Sequence, residues 1–138
     1  MPVDLSGKWK VKSTDDNIDE LMTKLGFPAE VIEYMKTKLS FESKYTGDDY
    51  ETKYTTPHGN VKVVTGTIGK QVDEKDFIGR PYSSMTKWEG DKLVTEMSFT
   101  DASLPRTRAT RELKGDTLVT ATTLVDSGLT AVTVFERC

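Results

Sequence analysis

Cysteine and histidine are almost missing from this sequence, with Cys138 and His58 the sole examples. A single cysteine cannot form an intrachain disulfide, and the pair cannot make a Cys/His metal cluster. No Ser/His/Asp or Cys/His order suited to nucleophilic catalysis is present, nor is a Gly-rich phosphate loop. His58 falls in the turn-like stretch PHGN and reads as a surface residue. Excess positive charge is lacking too. Lys and Arg number 19 against 22 Asp and Glu, for a net charge of −3. That argues against the broad basic field of a general nucleic-acid binder, though not against a local patch. No apolar run reaches the roughly 18 residues of a membrane-spanning helix. The N-terminal MPVDLSGKWK has no apolar signal region. Together with the absence of disulfides, this points to the cytosol. Cys138 is not a prenylation box, which needs further residues after its cysteine.

What is present is a chain of 138 residues, suited to a single domain over 1–138 with one core. Its apolar fraction, 36%, is slightly below the globular average, so some inward-facing positions should be polar. In KWKVK, Trp9 and Val11 alternate with Lys8, Lys10 and Lys12, which predicts a half-buried strand. Ser13 and Thr14 then offer helix caps, and Asp15, Asp16 and Asp19 suit a helix N-terminus. Ile18, Leu21, Met22 and Leu25 form a one-sided apolar stripe closed by Gly26. Pro28 suits the first turn of a second helix whose apolar face is Val31, Ile32, Met35 and Leu39. Residues 15–38 therefore read as a short helical hairpin.

Beyond Leu39 the helical signal stops. FESKYT, YETKYT, VKVVTGTI, RPYSSMTKW, KLVTEMSF, RTRATREL, TLVTATTLV and TAVTVFE follow, punctuated by GDD, PHGN, EGD, KGD and DSG. This is the spacing of an antiparallel meander of about ten strands, with no crossover helices of the kind a parallel sheet requires. So many strands in a small domain close into a barrel or stack as a sandwich. The inward set includes Trp9, Met97 and Phe99 but also many Thr and Ser. A packed core favours Val, Ile and Leu, whereas a lining of mixed apolar and hydroxyl groups suits a cavity holding a ligand and water.

Three stretches carry a resemblance. GKWKVKSTDDNIDELMTKLG, GRPYSSMTKWEGDKLV and TRELKGDTLV make the sequence similar to the intracellular lipid-binding proteins, the fatty-acid- and retinoid-binding group, over nearly the whole chain. The resemblance implies an all-β fold: a ten-stranded antiparallel up-and-down barrel with a helix-turn-helix lid between the first two strands. It also implies non-covalent binding of an amphipathic lipid in the interior. Many members fix the ligand carboxylate with two arginines and a tyrosine. Arg111 in TREL matches the first arginine. At the terminal Arg-x-Tyr motif this chain instead has Thr133 and Phe135. The liver-type branch departs in the same way and carries an arginine two residues further on, a place held here by Arg137. Ala109 stands where the retinoid branch has a bulky residue. The ligand-contact candidates are thus Arg111, Thr133, Phe135 and Arg137, together with Tyr54 from YETKYT.

The cluster Arg106, Arg108 and Arg111 is not one patch. Strand alternation puts Thr107, Ala109 and Arg111 on one face and Arg106, Arg108 and Thr110 on the other. If Arg111 faces the cavity, the other two arginines face water. The expected function is cytoplasmic carriage of a hydrophobic carboxylate, a long-chain fatty acid or retinoid-like acid, by a monomer without enzymatic activity, cofactor, metal or nucleic acid. Lys24, Lys36 and Lys38 on or near the lid suggest transient contact with anionic membranes. The alternative is an interaction module whose cavity is small or filled, acting through the lid helices on a membrane or a protein partner.

Overall fold

A computed structural model describes residues 3–138. Strand β1 (Gly7–Thr14) leads into α1 (Ile18–Lys24) and α2 (Ala29–Thr37). Nine further strands follow: β2 (Ser40–Thr46), β3 (Asp49–Thr55), β4 (Val61–Thr67), β5 (Val72–Lys75), β6 (Pro81–Glu89), β7 (Lys92–Phe99), β8 (Thr107–Lys114), β9 (Thr117–Leu124) and β10 (Thr130–Arg137). They form one ten-stranded antiparallel sheet in the order β4-β3-β2-β1-β10-β9-β8-β7-β6-β5. Because β1 pairs with both β2 and β10, the meander curls into a nearly closed barrel. The two end strands, β4 and β5, are not paired. The Lys62 Nζ to Glu74 Oε1 contact, at 3.3 Å, crosses between them.

The helical hairpin sits where its apolar stripe predicts, but its start differs. Thr14 remains in β1, and α1 begins only at Ile18. Neither Ser13 nor Thr14 caps it. Asp15 is used across the sheet instead: its Oδ2 accepts from the Val132 amide at 2.9 Å, and its own amide donates to the Val132 carbonyl at 3.0 Å. Asn17, the residue before α1, makes no side-chain cap and donates through Nδ2 to the Thr130 carbonyl. The C-terminal end follows expectation. Gly26 has φ +80°, its amide donates to the Thr23 carbonyl, and the Phe27 amide donates to the Met22 carbonyl. This left-handed closure satisfies carbonyls that the last turn leaves open. Pro28 precedes the first turn of α2 rather than lying in it. Asp19 and Lys36 form an ion pair at 3.2 Å that ties the two helices together.

Two apolar clusters close the barrel. At one end Leu5, Trp9, Leu93, Leu118 and Phe135 make a floor. At the other, Ile18, Leu21 and Leu25 of α1 pack on Phe99, Leu124 and Ala131. Burying such side chains contributes roughly 1.5–3 kcal/mol each relative to exposure, so the helices are held by the barrel as well as covering it. The remaining interior positions carry hydroxyls. Ser43, Thr52, Ser84, Thr86 and Thr107 are buried. Several satisfy one another across strands, as in Ser43 with Thr52 at 3.0 Å and Thr86 with Thr95 at 2.9 Å. Hydroxyls paired in this way can line a cavity without the cost of unmet polar groups.

Candidate functional site: the barrel cavity

Between the floor and the helices lies a cavity of about 340 Å³. Strand β8 brings one cation into it. Thr107, Ala109 and Arg111 face inward, as alternation requires, and all three line the space. Arg111 is registered against Leu93 on β7 and Thr120 on β9. Its Nη1 donates to Thr95 Oγ1 at 3.2 Å, and among the described residues it has no acidic partner. Arg106 and Arg108 lie on the outer face with acids of their own. Arg106 approaches Asp126 at 3.5 Å, and Arg108 Nη2 reaches both Glu89 carboxylate oxygens at 2.7 and 2.8 Å. The three arginines of RTRATREL therefore do different work on opposite faces of one strand.

Of the other candidates, Thr133, Phe135 and Tyr54 also line the cavity. Thr133 reaches Arg111 through the register: it pairs with Thr120, which pairs with Arg111. Phe135 is buried in the floor, edge-on to Phe41 with ring centroids 5.1 Å apart. Tyr54 continues the aromatic wall, 5.8 Å from Phe41 and 5.7 Å from Phe77. Arg137 lies elsewhere. Its guanidinium covers the Trp9 ring at 4.2 Å and donates to the Ser6 carbonyl at 3.2 Å. It is exposed and is not among the cavity-lining residues. His58 is exposed in the turn between β3 and β4.

Two phenols not singled out in the sequence belong to the same space. Tyr45 and Tyr50 line the cavity, and burial raises the pKa of each, with the Arg111 guanidinium acting in the opposite sense. Strand alternation already puts both side chains inside. It does not reveal that β2 and β3 bring them near an arginine on β8. At the helical end, Met35 of α2, Phe27 and Phe77 border the cavity. Arg80 straps this end together. Its Nη1 donates to the Leu25 carbonyl at 2.6 Å and its Nε to Asp76 Oδ2 at 2.9 Å, while its guanidinium sits between the Phe27 and Phe99 rings.

Among the described residues no group of His, Cys, Asp and Glu is arranged to hold a metal. No helix is long and apolar enough to cross a membrane. A nearly closed antiparallel barrel, covered by two short helices and enclosing a mixed apolar and hydroxyl cavity with one inward arginine, is a small-molecule-binding barrel. Residues 3–135 match the lipocalin / cytosolic fatty-acid binding protein family, and the chain belongs to that family. It is 31% identical over 133 residues to gastrotropin of Oryctolagus cuniculus, covering 96% of each chain. It is 30% identical over 115 residues to cellular retinoic acid-binding protein 2 of Homo sapiens, covering 80% of this chain and 82% of the relative. The solved structure of the REP1-NXSQ fatty acid transporter superposes with a TM-score of 0.81 at 22% identity, over 98% of this chain and 96% of that one. That last likeness concerns the fold. The family is one of lipid-binding carriers rather than enzymes.

Proposed function

We propose that the chain binds a hydrophobic monocarboxylate, a long-chain fatty acid or a retinoid-like acid, without covalent chemistry, and carries it through the cytosol as a monomer. The observation that carries this reading is Arg111. It is a guanidinium facing a partly open, largely apolar cavity, with a neutral hydroxyl as its hydrogen-bond partner. A cation in such a place is costly unless an anion joins it. A carboxylate head supplies that anion through charge-assisted hydrogen bonds, and burial of the tail supplies most of the affinity. A relative whose name mentions retinoic acid supports the same class of guest.

The cavity of about 340 Å³ lies within the range of small-molecule sites, roughly 300–1,000 Å³, which argues against a filled-barrel interaction module. In this reading the helices and the neighbouring turns gate access. Lys38 then offers weak contact with anionic membranes, Lys36 being already paired with Asp19 and Lys24 with Glu20. Calorimetric titration of native and Arg111→Ala protein with oleate and methyl oleate tests the reading. Loss of one charge-assisted contact should weaken oleate roughly ten- to a hundredfold and leave the ester almost unchanged. Equal loss for acid and ester would make Arg111 a structural residue.

A further inference from the structure

We propose that the anion site is completed from the opposite wall of the barrel, by the phenol hydroxyls of Tyr45 and Tyr50, which stand in for the donors absent at Thr133 and Phe135. This rests on the carboxylate reading of Arg111 and deepens it by naming the groups that select the head. Tyr45, near the end of β2, and Tyr50, near the start of β3, are direct cross-strand partners. Their rings are 6.1 Å apart between centroids and tilted by 40°. Both rings line the space that Arg111 lines.

Tyr50 is seated by a glycine. Its partner on β4 is Gly66, whose backbone is not in the left-handed region and so does not itself call for glycine. A Cβ at position 66 would collide with the Tyr50 hydroxyl and lie 2.7 Å from Val72 Cγ2. The missing side chain thus makes room for the hydroxyl end of the phenol against the unpaired border of β4. On β6 and β7 a line of hydroxyls leads to the guanidinium. Thr86 on β6 lines the same cavity and acts on the Tyr50 phenol in the sense of lowering its pKa. Thr86 Oγ1 is 2.9 Å from Thr95 Oγ1, which accepts from Arg111 Nη1 at 3.2 Å. This line runs from β6 to β8 on the inner wall that Tyr50 also lines. Both phenols also feel the Arg111 charge.

The chemistry follows from the donor count. A carboxylate offers several lone-pair sites, and a single guanidinium does not fill them all. A phenol donates one strong O–H to an anion and remains neutral at physiological pH, so it adds selectivity without adding repulsion between cations. Phe135 has no such donor, and Thr133 has a hydroxyl on a much shorter side chain. The ligand class is therefore an amphipath whose carboxylate lies between β8 and the β2–β3 hairpin, near the floor, with its tail toward the helices. A neutral ester or alcohol of the same tail gains little from these phenols.

The test is calorimetric titration with oleate and methyl oleate of native protein, Tyr45→Phe, Tyr50→Phe, the double Phe variant and Arg111→Ala, with thermal melts to verify folding. The double variant should lose about tenfold or more in oleate affinity and less than about twofold for the ester. Adding it to Arg111→Ala should cost little further, since the head is no longer anchored beside the phenols. Gly66→Ala, which dislodges the Tyr50 hydroxyl, should reproduce the Tyr50→Phe loss. If it fails to fold, the Phe variants still decide. If the double variant keeps the native preference for acid over ester while Arg111→Ala abolishes it, the phenols are bystanders: this proposal falls and the carboxylate reading stands. If Arg111→Ala leaves that preference intact, or the native chain binds no oleate, both fall together.

Discussion

The guanidinium of Arg137 lies over the Trp9 ring at 4.2 Å, outside the cavity. By alternation Arg137 shares a strand face with Phe135, yet it sits one step past the floor and closes the barrel from outside. A cation over an aromatic face at an exposed site contributes roughly 0.5–1 kcal/mol. Arg137→Ala should therefore lower the melting temperature slightly and leave the acid-over-ester preference of the cavity unchanged. Loss of acid binding with Arg111→Ala silent would move the head group to the end of β10.

Restoring the family motif should have opposite effects on the empty and the filled barrel. Thr133→Arg places a second guanidinium two strands from Arg111, through Thr120. Phe135→Tyr adds a hydroxyl inside the floor cluster. Without ligand, two like charges and a new buried polar group should destabilise the double variant by about 1–3 kcal/mol. With ligand, fatty-acid affinity should rise and discrimination against the corresponding alcohol should sharpen. Denaturant melts with and without oleate measure both, and a variant equally stable in the two states would speak against a shared anion site.

Arg80 joins the turn after α1 to the turn between β5 and β6. Arg80→Ala removes its hydrogen bonds to Leu25 and Asp76 and its stacking between Phe27 and Phe99. The loss should be about 2 kcal/mol of stability. Stopped-flow measurement should find ligand release accelerated more than binding is weakened, because the strap holds the helical cover rather than the head-group wall. Unchanged release rates would mean that guests leave by another path.

Burial raises the phenols of Tyr34, Tyr45, Tyr50 and Tyr82 above the ordinary value of 10.0. For an acid held protonated by the fold, the stabilisation is fully present below the unfolded pKa and is lost as pH rises through and beyond it. Stability should thus be insensitive to these groups up to about pH 10 and fall above it. Tyr82→Phe removes one ionisation that favours the unfolded chain, so it should keep a larger fraction of its neutral-pH stability in alkali. Denaturant midpoints at neutral pH and near pH 11 (roughly one unit above the phenol value) give the comparison.

The repeating hairpins were legible because each strand alternates and each turn carries its own signal. β5 was not: Val72–Lys75 is short and holds Asp73 and Glu74, so no apolar rhythm announces it. The hairpin of helices was visible from its stripe, but Asp15 shows why its first residues were misplaced. A carboxylate next to a predicted helix can serve the helix end or a distant strand, and only the β1–β10 pairing decides between them. Arg111 could be assigned to the inside from the alternation of β8 together with the family resemblance. Its neighbourhood could not, because Tyr45, Tyr50 and Arg111 come to line one cavity only through curvature of the whole sheet. The glycine at 66 carried a trace of the seat of Tyr50, readable only once its partner strand was known.

A seamless hoop can grow in girth only by tearing backbone rungs. This sheet begins at β4 and ends at β5 without joining them, so it is a split cuff, clasped there by Lys62 and Glu74. Widening the cuff there would cost that ion pair and the close approach of Val72 to Gly66 but no strand-to-strand rung, while on the opposite side β10 stays paired with both β1 and β9. Elasticity is thereby confined to one margin of the wall, and the same floor can serve guests of unequal width.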